Sequence, residues 1–209
     1  MNKIKAKRLK RLAEELRVNY PTISAELDAL VSGALEPIRP RQTVTATLVS
    51  AFEKLYDLLG DKLTLAGGTA ILQWVDIQET EDLDFVVLPK DFEEIKKMFP
   101  EGKETLLIYY VVVDGYSIDF LNPFYFAWTK EALAQAVKKP FLGRDLKILT
   151  PEYLVLYKFE ASRDKDMNHL KALLRIEGIA EKAKPLVKKY MPRELEDFEQ
   201  LALEASYGL

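Results

Sequence analysis

The stretch LAGGTAILQWVDIQETEDLDFVVLP (residues 65–89) begins with a pair of glycines and ends in a hydrophobic segment that carries two aspartates. Gly67 and Gly68 follow an apolar run, and Asp82 and Asp84 lie two residues apart among leucine, phenylalanine and valine. Side chains alternate across a β-strand, so residues i and i+2 point to the same face. Asp82 and Asp84 are therefore expected on one face of a strand, about 6.6 Å apart at Cα. The pattern indicates a strand with one apolar face and one acidic face.

The composition excludes several classes of site. The chain has 209 residues, no cysteine and a single histidine, His169. Disulfides, thiolate metal sites and a cysteine nucleophile are therefore excluded, and a histidine-rich zinc site is not expected. With 30 basic and 33 acidic residues the formal net charge is −3, so the chain lacks the overall positive field that is typical of nucleic-acid-binding proteins.

Hydropathy gives an expectation about location. The sequence contains no apolar run of the length, about 18 residues, that a membrane-spanning helix needs. The charged segment MNKIKAKRLKRLAEEL (residues 1–16) lacks the apolar centre of a signal peptide. We therefore expect a cytoplasmic protein with no membrane segment.

Three parts of the chain differ in the secondary structure that their sequence patterns predict. Residues 1–42 hold two predicted helices and a linker that contains glycine and proline. Residues 43–150 mix short β-rich runs with helical segments, and their first element is a helix over 43–59 that Gly60 ends. Residues 151–209 are predicted to be helical. The sequence therefore predicts an α+β protein with an N-terminal helical extension, a mixed α/β core and a helical C-terminal part.

The core elements are arranged around the glycine pair. A short strand is predicted before it, a helix over 69–75 after it, and a second strand over 83–88. The run TLLIYYVVVDGYSIDFL (residues 105–121) is predicted to be a hairpin, because Asp114-Gly115 is typical of a two-residue turn between strands. A further helix and one or two short strands complete this part of the chain.

Capping residues and prolines predict the later helix boundaries. Asp91 is expected to cap the helix that follows the aspartate-bearing strand. Thr150 is expected to cap the first C-terminal helix, with Pro151 at its first position. Breaks between the remaining helices are expected near Gly178, Pro185 and Pro192.

The hairpin adds a third aspartate. Its turn pairs Tyr110 with Asp119, whose side chain points away from the face that carries Ile118. If this strand lies beside the first, Asp119 joins Asp82 and Asp84 in one acidic cluster. Such carboxylates repel each other unless a divalent cation binds, and oxygen ligands suit Mg²⁺ or Mn²⁺. Ions held in this way could activate a hydroxyl and stabilise a leaving phosphate. An Asp-x-Asp pair alone is more commonly a feature that keeps a strand edge solvated.

The glycine pair would supply the phosphate-binding part of a phosphoryl-transfer site. A glycine turn that leads from a strand into a helix exposes backbone N–H groups, which can bind phosphate. Gly67 and Gly68 lie at such a position, and Thr69 would add a hydroxyl. A glycine pair without the aspartates is usually only a turn.

Taken together, the motifs resemble the nucleotidyltransferase superfamily, which has the fold of DNA polymerase β. The segments GGT (67–69), DLD (82–84) and IDF (118–120) match its glycine turn, paired aspartates and third aspartate in order and spacing. The sequence around them is most similar to the AbiEii-type branch, which includes toxins of toxin–antitoxin systems. The resemblance extends over residues 45–175 and implies a mixed sheet flanked by helices.

The resemblance also implies roles for individual residues. The metal ligands would be Asp82, Asp84 and Asp119. Asp119 would in addition assist deprotonation of an acceptor hydroxyl. The triphosphate of the nucleotide would be held by Gly67, Gly68 and Thr69.

A later segment, LYKFEASRDKDMNHL (residues 156–170), resembles a Lys…Arg-x-Lys-Asp pattern of the same branch. Lys158, Arg163 and Lys165 would bind or neutralise phosphate, which lysine does as a point charge. Asp166 would orient a lysine or act as a late acid or base. Without the other motifs, this segment would be interpreted as an ordinary solvated helix end.

The function implied is the Mg²⁺- or Mn²⁺-dependent transfer of a nucleoside monophosphate from a nucleoside triphosphate to an RNA end or a protein hydroxyl. In a toxin–antitoxin pair, an antitoxin protein would be the partner. The alternative is a binding or regulatory protein that keeps the fold with little or no catalysis. Gln78 favours it, because relatives often have arginine there, and so do Glu79 and Glu81, which place negative charge beside a triphosphate.

In that alternative the N-terminal helices would contact DNA or a partner. Residues 11–30 show the spacing of a helix-turn-helix, and the basic segment before them could contact phosphates. Arg17 occupies a place where a turn glycine is common, and such patterns arise readily in amphipathic helices. A helical hairpin packed on the core or on a partner is therefore the other interpretation of this segment.

Overall fold

The computed structural model describes residues 45–77, 83–161 and 164–208. Within these ranges the strands are β1 (Thr64–Ala66), β2 (Leu83–Val86), β3 (Lys103–Glu104), β4 (Ile108–Val113), β5 (Tyr116–Leu121), β6 (Val137–Phe141) and β7 (Arg144–Ile148). The α-helices are α1 (Thr45–Leu59), α2 (Gly67–Ile71), α3 (Pro89–Met98), α4 (Thr129–Gln135), α5 (Pro151–Ala161), α6 (Asp164–Leu174), α7 (Ile179–Tyr190) and α8 (Leu195–Ser206). The predicted α+β class is confirmed, whereas the predicted N-terminal extension lies outside the described residues.

All seven described strands form one mixed sheet in the order β3-β4-β5-β2-β1-β7-β6. β2 runs parallel to β5 and β1 runs parallel to β7, while the other neighbouring strands are antiparallel. The first strand and the aspartate-bearing strand therefore lie side by side at the centre of the sheet. Crossover connections carry the helices onto the sheet, as parallel pairs require.

The register of the three central strands separates their side chains into two sets. Leu65, Phe85 and Phe120 are aligned across β1, β2 and β5 and share one face of the sheet. These three are fully buried, and the rings of Phe85 and Phe120 lie 6.0 Å apart between centroids. Packing on this face fixes the register, because a shift by one residue would turn every side chain to the other face.

Two predicted elements of the core are confirmed. The helix expected over 43–59 is α1, whose Phe52 and Leu55 are fully buried, and Gly60 follows it with a φ of +50°. The expected hairpin is β4–β5, in which Asp114 and Gly115 form the turn with φ values of +49° and +79°. Positive φ at both turn positions is what a two-residue hairpin with the twist of the sheet requires.

Two boundaries near the glycine pair and the second strand differ from the prediction. α2 begins at Gly67 rather than at residue 69 and ends at Ile71. It therefore has only five residues, about one and a half helical turns. The prediction that Asp91 is an N-cap was wrong, because α3 begins at Pro89 with Leu88 as its N-cap residue. Proline has φ fixed near the helical value and no N–H to leave unsatisfied, so it favours the first helical position.

The C-terminal helices depart from the prediction at two residues. The hydroxyl of Thr150 has no hydrogen-bond partner in the described part of the chain, where its backbone carbonyl accepts bonds from Tyr153 and Leu154, so the expected side-chain cap is not formed. Pro185 lies inside α7 instead of ending a helix. Its side chain is exposed, and burial of Ala183 and Val187 against the core compensates for the hydrogen bond that proline cannot donate.

Candidate active site

The glycine turn and the aspartate-bearing strand are in direct contact. Gly67 follows the last residue of β1 with a φ of +64°, a backbone conformation that favours glycine. A Cβ atom at this position would lie 1.7 Å from Oδ2 of Asp84 and 2.4 Å from its Cγ. The absence of a side chain at Gly67 therefore allows the backbone to pass directly over the carboxylate of Asp84.

Asp84 and Asp119 are neighbours across the parallel strands β2 and β5. The register pairs Asp84 with Asp119 and with Ala66 of β1, so both carboxylates are on the face opposite Phe85 and Phe120. Neighbouring strands are about 4.8 Å apart, which brings the two side chains together. Asp84 is 7% exposed and Asp119 is 3% exposed. Two carboxylates so close and so little hydrated are costly unless cations or hydrogen-bond donors compensate for their charge.

The third predicted carboxylate, Asp82, lies outside the described residues. Within the described ranges, no group of three or more histidine, cysteine, aspartate or glutamate side chains is arranged to hold a metal ion. Asp84 and Asp119 provide hard oxygen donors on one face, which is the donor chemistry that Mg²⁺ and Mn²⁺ select. The pair fits part of a metal site, and completing it would require Asp82.

The predicted basic segment contains a buried ion pair. Nζ of Lys158 in α5 donates to Oδ1 of Asp166 in α6 at 2.7 Å, and the two side chains are 3% and 0% exposed. The ammonium of Lys158 also lies 5.3 Å from the centroid of the Tyr157 ring. The structure therefore brings Lys158 and Asp166 together, and their roles in a reaction stay a prediction.

The glycine turn connects these two groups of residues. α2, which contains Gly67, Gly68 and Thr69, contacts β2 and also contacts α5 and α6. The elements that carry the paired aspartates and the buried ion pair are thus joined through one short helix. Arg163 lies outside the described residues, and Lys165 lies in α6 with no side-chain position described.

One contact near the glycine turn was not anticipated. Nζ of Lys139 in β6 lies 3.4 Å from the centroid of the Trp74 ring and donates to the carbonyl of Gln73 at 2.7 Å. Trp74 in turn donates from Nε1 to the carbonyl of Leu149 at 3.0 Å. Burial lowers the pKa of Lys139. The contacts attach the segment after α2 to the edge of the sheet, and the separation of Lys139 from Trp74 in sequence leaves no local signal for them.

Comparison with known proteins finds similarity to solved structures at low sequence identity. No protein-family model matches the chain, and no curated protein matches it. A proposed nucleotidyltransferase from Thermotoga maritima is 16% identical with a TM-score of 0.43, covering 63% of this chain and 94% of its own. A proposed nucleotidyltransferase from H. pylori is 18% identical with a TM-score of 0.38, covering 79% and 93%.

A third solved structure is an antigenic nucleotidyltransferase-like protein from Paracoccidioides brasiliensis. It is 15% identical with a TM-score of 0.39 and covers 73% of this chain and 91% of its own. At such identities and TM-scores, these likenesses assign neither a substrate nor a site to the chain. Separately, none of the helices in the described ranges combines the length and apolar character that a membrane crossing demands.

Proposed function

We propose that this protein is a metal-dependent nucleotidyltransferase that transfers a nucleoside monophosphate from a nucleoside triphosphate to an acceptor hydroxyl. The observation that supports the proposal most is the alignment of Asp84 with Asp119 on neighbouring parallel strands, with Gly67 directly over Asp84. A carboxylate pair on a strand edge that served only solvation would be exposed. These two are buried beside a backbone turn whose first N–H groups have no acceptor within the helix.

In this proposal Asp84, Asp119 and Asp82 hold Mg²⁺ or Mn²⁺. The bound cation would supply positive charge for the phosphate oxygens and for the leaving group. Asp119 would accept the proton of the acceptor hydroxyl while the oxygen of that hydroxyl forms a bond to the α-phosphorus. The bond from the α-phosphorus to the bridging oxygen then breaks, and pyrophosphate leaves.

The remaining proposed residues bind and orient the nucleotide. Gly67, Gly68 and Thr69 would donate hydrogen bonds to the triphosphate. Asp166 orients Lys158, a role that their 2.7 Å contact supports. The positive charge for the triphosphate would come from Lys158, Arg163 and Lys165.

The direct test is transfer of label from α-³²P nucleoside triphosphates to total RNA or to lysate protein, with and without Mg²⁺. We expect Asp84→Asn and Asp119→Asn each to lower transfer at least about 100-fold, the scale on which loss of a preorganised charge affects catalysis. Asparagine keeps the shape of the side chain and removes its charge. The matched control is Asp145→Asn, since Asp145 is exposed on β7 and distant in the sheet order from β5.

Two results would contradict the proposal: no transfer by the wild-type protein with any of the four nucleotides, or equal transfer by the aspartate variants. Sensitivity of the labelled product to ribonuclease or to protease distinguishes an RNA end from a protein hydroxyl. If the protein is a toxin, expressing it should stop growth, and Asp84→Asn should restore growth. An antitoxin partner would then be sought in the protein encoded by the adjacent gene.

A second candidate function is a binding or regulatory protein with this fold and without catalysis. Gln78 and the neighbouring glutamates favour it, and so does the burial of Lys158, whose ammonium is already held by Asp166. In this case residues 1–31 would contact DNA or a protein partner. A gel shift or pull-down that is lost on deletion of residues 1–31, together with no nucleotide binding by calorimetry, would favour it over the first proposal.

A further inference from the structure

A cavity of about 450 Å³ lies at the start of β1, at the opposite end of that strand from Gly67. It is open to solvent and is lined by the first residue of β1, Thr64, by the beginning of α3 and by α4. Leu88 and Leu133 provide apolar wall, and Lys147 of β7, the register partner of Thr64, also lines it. A volume of this size is in the range of small-molecule binding sites.

Two polar atoms at the buried end of this cavity make no hydrogen bond to any residue in the described ranges. Thr64 is 1% exposed and Asp91 is 3% exposed, and both line the cavity. Among the described residues the hydroxyl of Thr64 has no hydrogen-bond partner, and Oδ1 of Asp91 makes no hydrogen bond but has an ion pair with Nζ of Lys62 at 3.5 Å. Buried polar atoms nearly always have a hydrogen-bond partner, and lacking one costs free energy, so such atoms call for an explanation that a bound group can supply. Both can accept a hydrogen bond from a ligand.

Four lysines surround the same cavity: Lys62, Lys90, Lys130 and Lys147. Lys62 is engaged with Glu94 at 2.6 Å and with Asp91 at 3.5 Å, which raises the pKa of Lys62 chiefly through its bond to Glu94. Lys147 donates to the backbone carbonyl of Asp61 at 3.0 Å.

The other two lysines keep their charge available. In the described part of the chain, no carboxylate lies within ion-pair distance of Lys90 or Lys130. They stand on different helices, at the start of α3 and of α4, and both are exposed at the mouth of the cavity. Asp61 also lines the cavity, and its exposed carboxylate is paired with Lys138 at 3.2 Å. The lining therefore carries more positive than negative charge, whereas the buried end holds hydrogen-bond acceptors.

We propose that this cavity binds a small organic phosphate that carries hydroxyl groups, with the size and chemistry of a sugar phosphate. The phosphate would lie between Lys90 and Lys130, because lysine binds phosphate as a point charge. The hydroxyl groups would donate to Oδ1 of Asp91 and to the hydroxyl of Thr64, which a phosphate ion alone could not do. The sugar phosphate part of a nucleotide has the same chemistry, so either a free sugar phosphate or a nucleotide could supply it.

This inference does not depend on the proposed nucleotidyl transfer. Thr64 is the first residue of β1, and Gly67 follows its last residue. Of the residues proposed for the transfer reaction, none of those that the structure describes lines the cavity. A ligand bound here should therefore bind equally well to Asp84→Asn.

The test is isothermal titration calorimetry of the full-length protein with ribose 5-phosphate, AMP, ribose and inorganic phosphate. We expect ribose 5-phosphate to bind at least tenfold more tightly than ribose or inorganic phosphate. Binding of AMP at the same strength would identify a nucleotide as an equally suitable source of the group, and weaker binding of AMP would identify a free sugar phosphate. The proposal is overturned if ribose 5-phosphate binds no better than inorganic phosphate, or if Asp84→Asn abolishes its binding.

Variants locate the site. Lys90→Gln and Lys130→Gln should each weaken binding of ribose 5-phosphate about tenfold, the effect of one charge-assisted hydrogen bond. Lys97→Gln is the matched control, because Lys97 is exposed on α3 and does not line the cavity. Equal effects of Lys90→Gln and Lys97→Gln would show only a general attraction of the anion and would overturn the assignment.

Thr64→Val tests the buried end of the cavity without disturbing its shape. Replacing an unpaired buried hydroxyl by a methyl group should leave the midpoint of thermal unfolding unchanged or raise it. Binding of ribose 5-phosphate should weaken about three- to tenfold, because one hydrogen bond is lost. Unchanged binding would contradict a role of Thr64 in recognising the hydroxyl groups.

Discussion

Gly67 is the residue on which the geometry of the candidate active site most depends. Its positive φ of +64° is one reason for glycine, and the second is that a Cβ atom there would lie only 1.7 Å from Oδ2 of Asp84. We predict that Gly67→Ala lowers the free energy of unfolding by more than the roughly 1–2 kcal/mol that a left-handed backbone conformation costs a residue with a side chain. Urea denaturation monitored by circular dichroism would measure the change.

Gly143→Ala is the matched control for this substitution. Gly143 also has a positive φ, +80°, but no atom of the residues that the structure describes lies within 4 Å of the place its Cβ would occupy. It should therefore show the backbone cost alone. Equal losses for the two variants would mean that the contact between Gly67 and Asp84 carries no energetic weight.

The buried pair of Lys158 and Asp166 makes a second prediction at the scale of single residues. Removing one partner leaves a charge buried without compensation, so Lys158→Met should cost about 3–5 kcal/mol of unfolding free energy. The double variant Lys158→Met with Asp166→Leu should recover most of this loss, since apolar replacement of a whole buried pair is often neutral. Chemical denaturation of the single and double variants would measure both effects.

The control for the ion pair is another pair that joins two helices. Lys184 of α7 and Glu199 of α8 are 2.6 Å apart, but their side chains are 54% and 46% exposed. Lys184→Met should therefore change the unfolding free energy by less than about 1 kcal/mol. If Lys158→Met costs no more than Lys184→Met, the burial of the Lys158 pair is not energetically important.

At the scale of elements, α7 contains a proline that its surroundings tolerate at a cost. Pro185 is exposed within α7 and cannot donate the hydrogen bond of its turn. Pro185→Ala should therefore stabilise the protein, by an amount up to the roughly 3 kcal/mol by which alanine exceeds proline in a helix interior. Pro192→Ala is the control, because Pro192 opens a 3₁₀ turn where proline is favourable. The midpoint of thermal unfolding, measured for both variants, tests this prediction. Equal shifts of the midpoint in the two variants would contradict it.

The same helix shows why some elements could be predicted from the sequence and others could not. The turn at Asp114-Gly115 was predictable because the requirement for positive φ is local to two residues. Pro185 was misjudged because the packing of α7 on the core outweighs local helix propensity, and packing has no signal in a short window. Asp91 was misjudged because Pro89, two residues earlier, is a better starting residue for a helix.

In the candidate site too, some contacts could be predicted from the sequence and others could not. The alignment of Asp84 with Asp119 followed from strand alternation once β2 and β5 were assumed to be neighbours, and the register confirms that alignment. The contact between Gly67 and Asp84 depends on how β1, β2 and α2 pack, so it could not be deduced from spacing. The lysines of the cavity come from the 3₁₀ turn before β1, from α3, from α4 and from β7, and no motif unites them.

At the scale of the whole molecule, the C-terminal helices share packing with the sheet part of the chain. The rings of Phe126 and Tyr157 lie 5.6 Å apart between centroids, and those of Trp128 and Tyr153 lie 6.4 Å apart. The indole of Trp128 also donates to Glu160 of α5 at 2.7 Å. These contacts cross residue 150, where the sequence predicts the helical part to begin. We therefore expect residues before and after it to unfold together.

Glu131 of α4 also connects the two parts of the chain, through hydrogen bonds to the C-terminal helices. Its carboxylate accepts hydrogen bonds from Lys189 and Tyr190 of α7 and from Tyr153 of α5. These bonds, that of Lys189 first, lower the pKa of Glu131 from 4.5 to about 2. Because the folded pKa is below the unfolded value, the resulting stability is fully present above pH 4.5 and is lost as the pH falls towards 2.

We therefore predict that Glu131→Gln unfolds at a lower urea concentration than the wild-type protein at pH 7, and that the difference shrinks between pH 4.5 and pH 2. Glu196→Gln is the control for the loss of one exposed carboxylate, since Glu196 is an exposed residue of α8. If the α4–α7 contact joins both parts of the chain, tryptophan fluorescence and far-ultraviolet circular dichroism should report coincident transitions in the wild type. A difference between Glu131→Gln and wild type that stays constant down to pH 2 would show that the carboxylate acts through its shape and not through its charge.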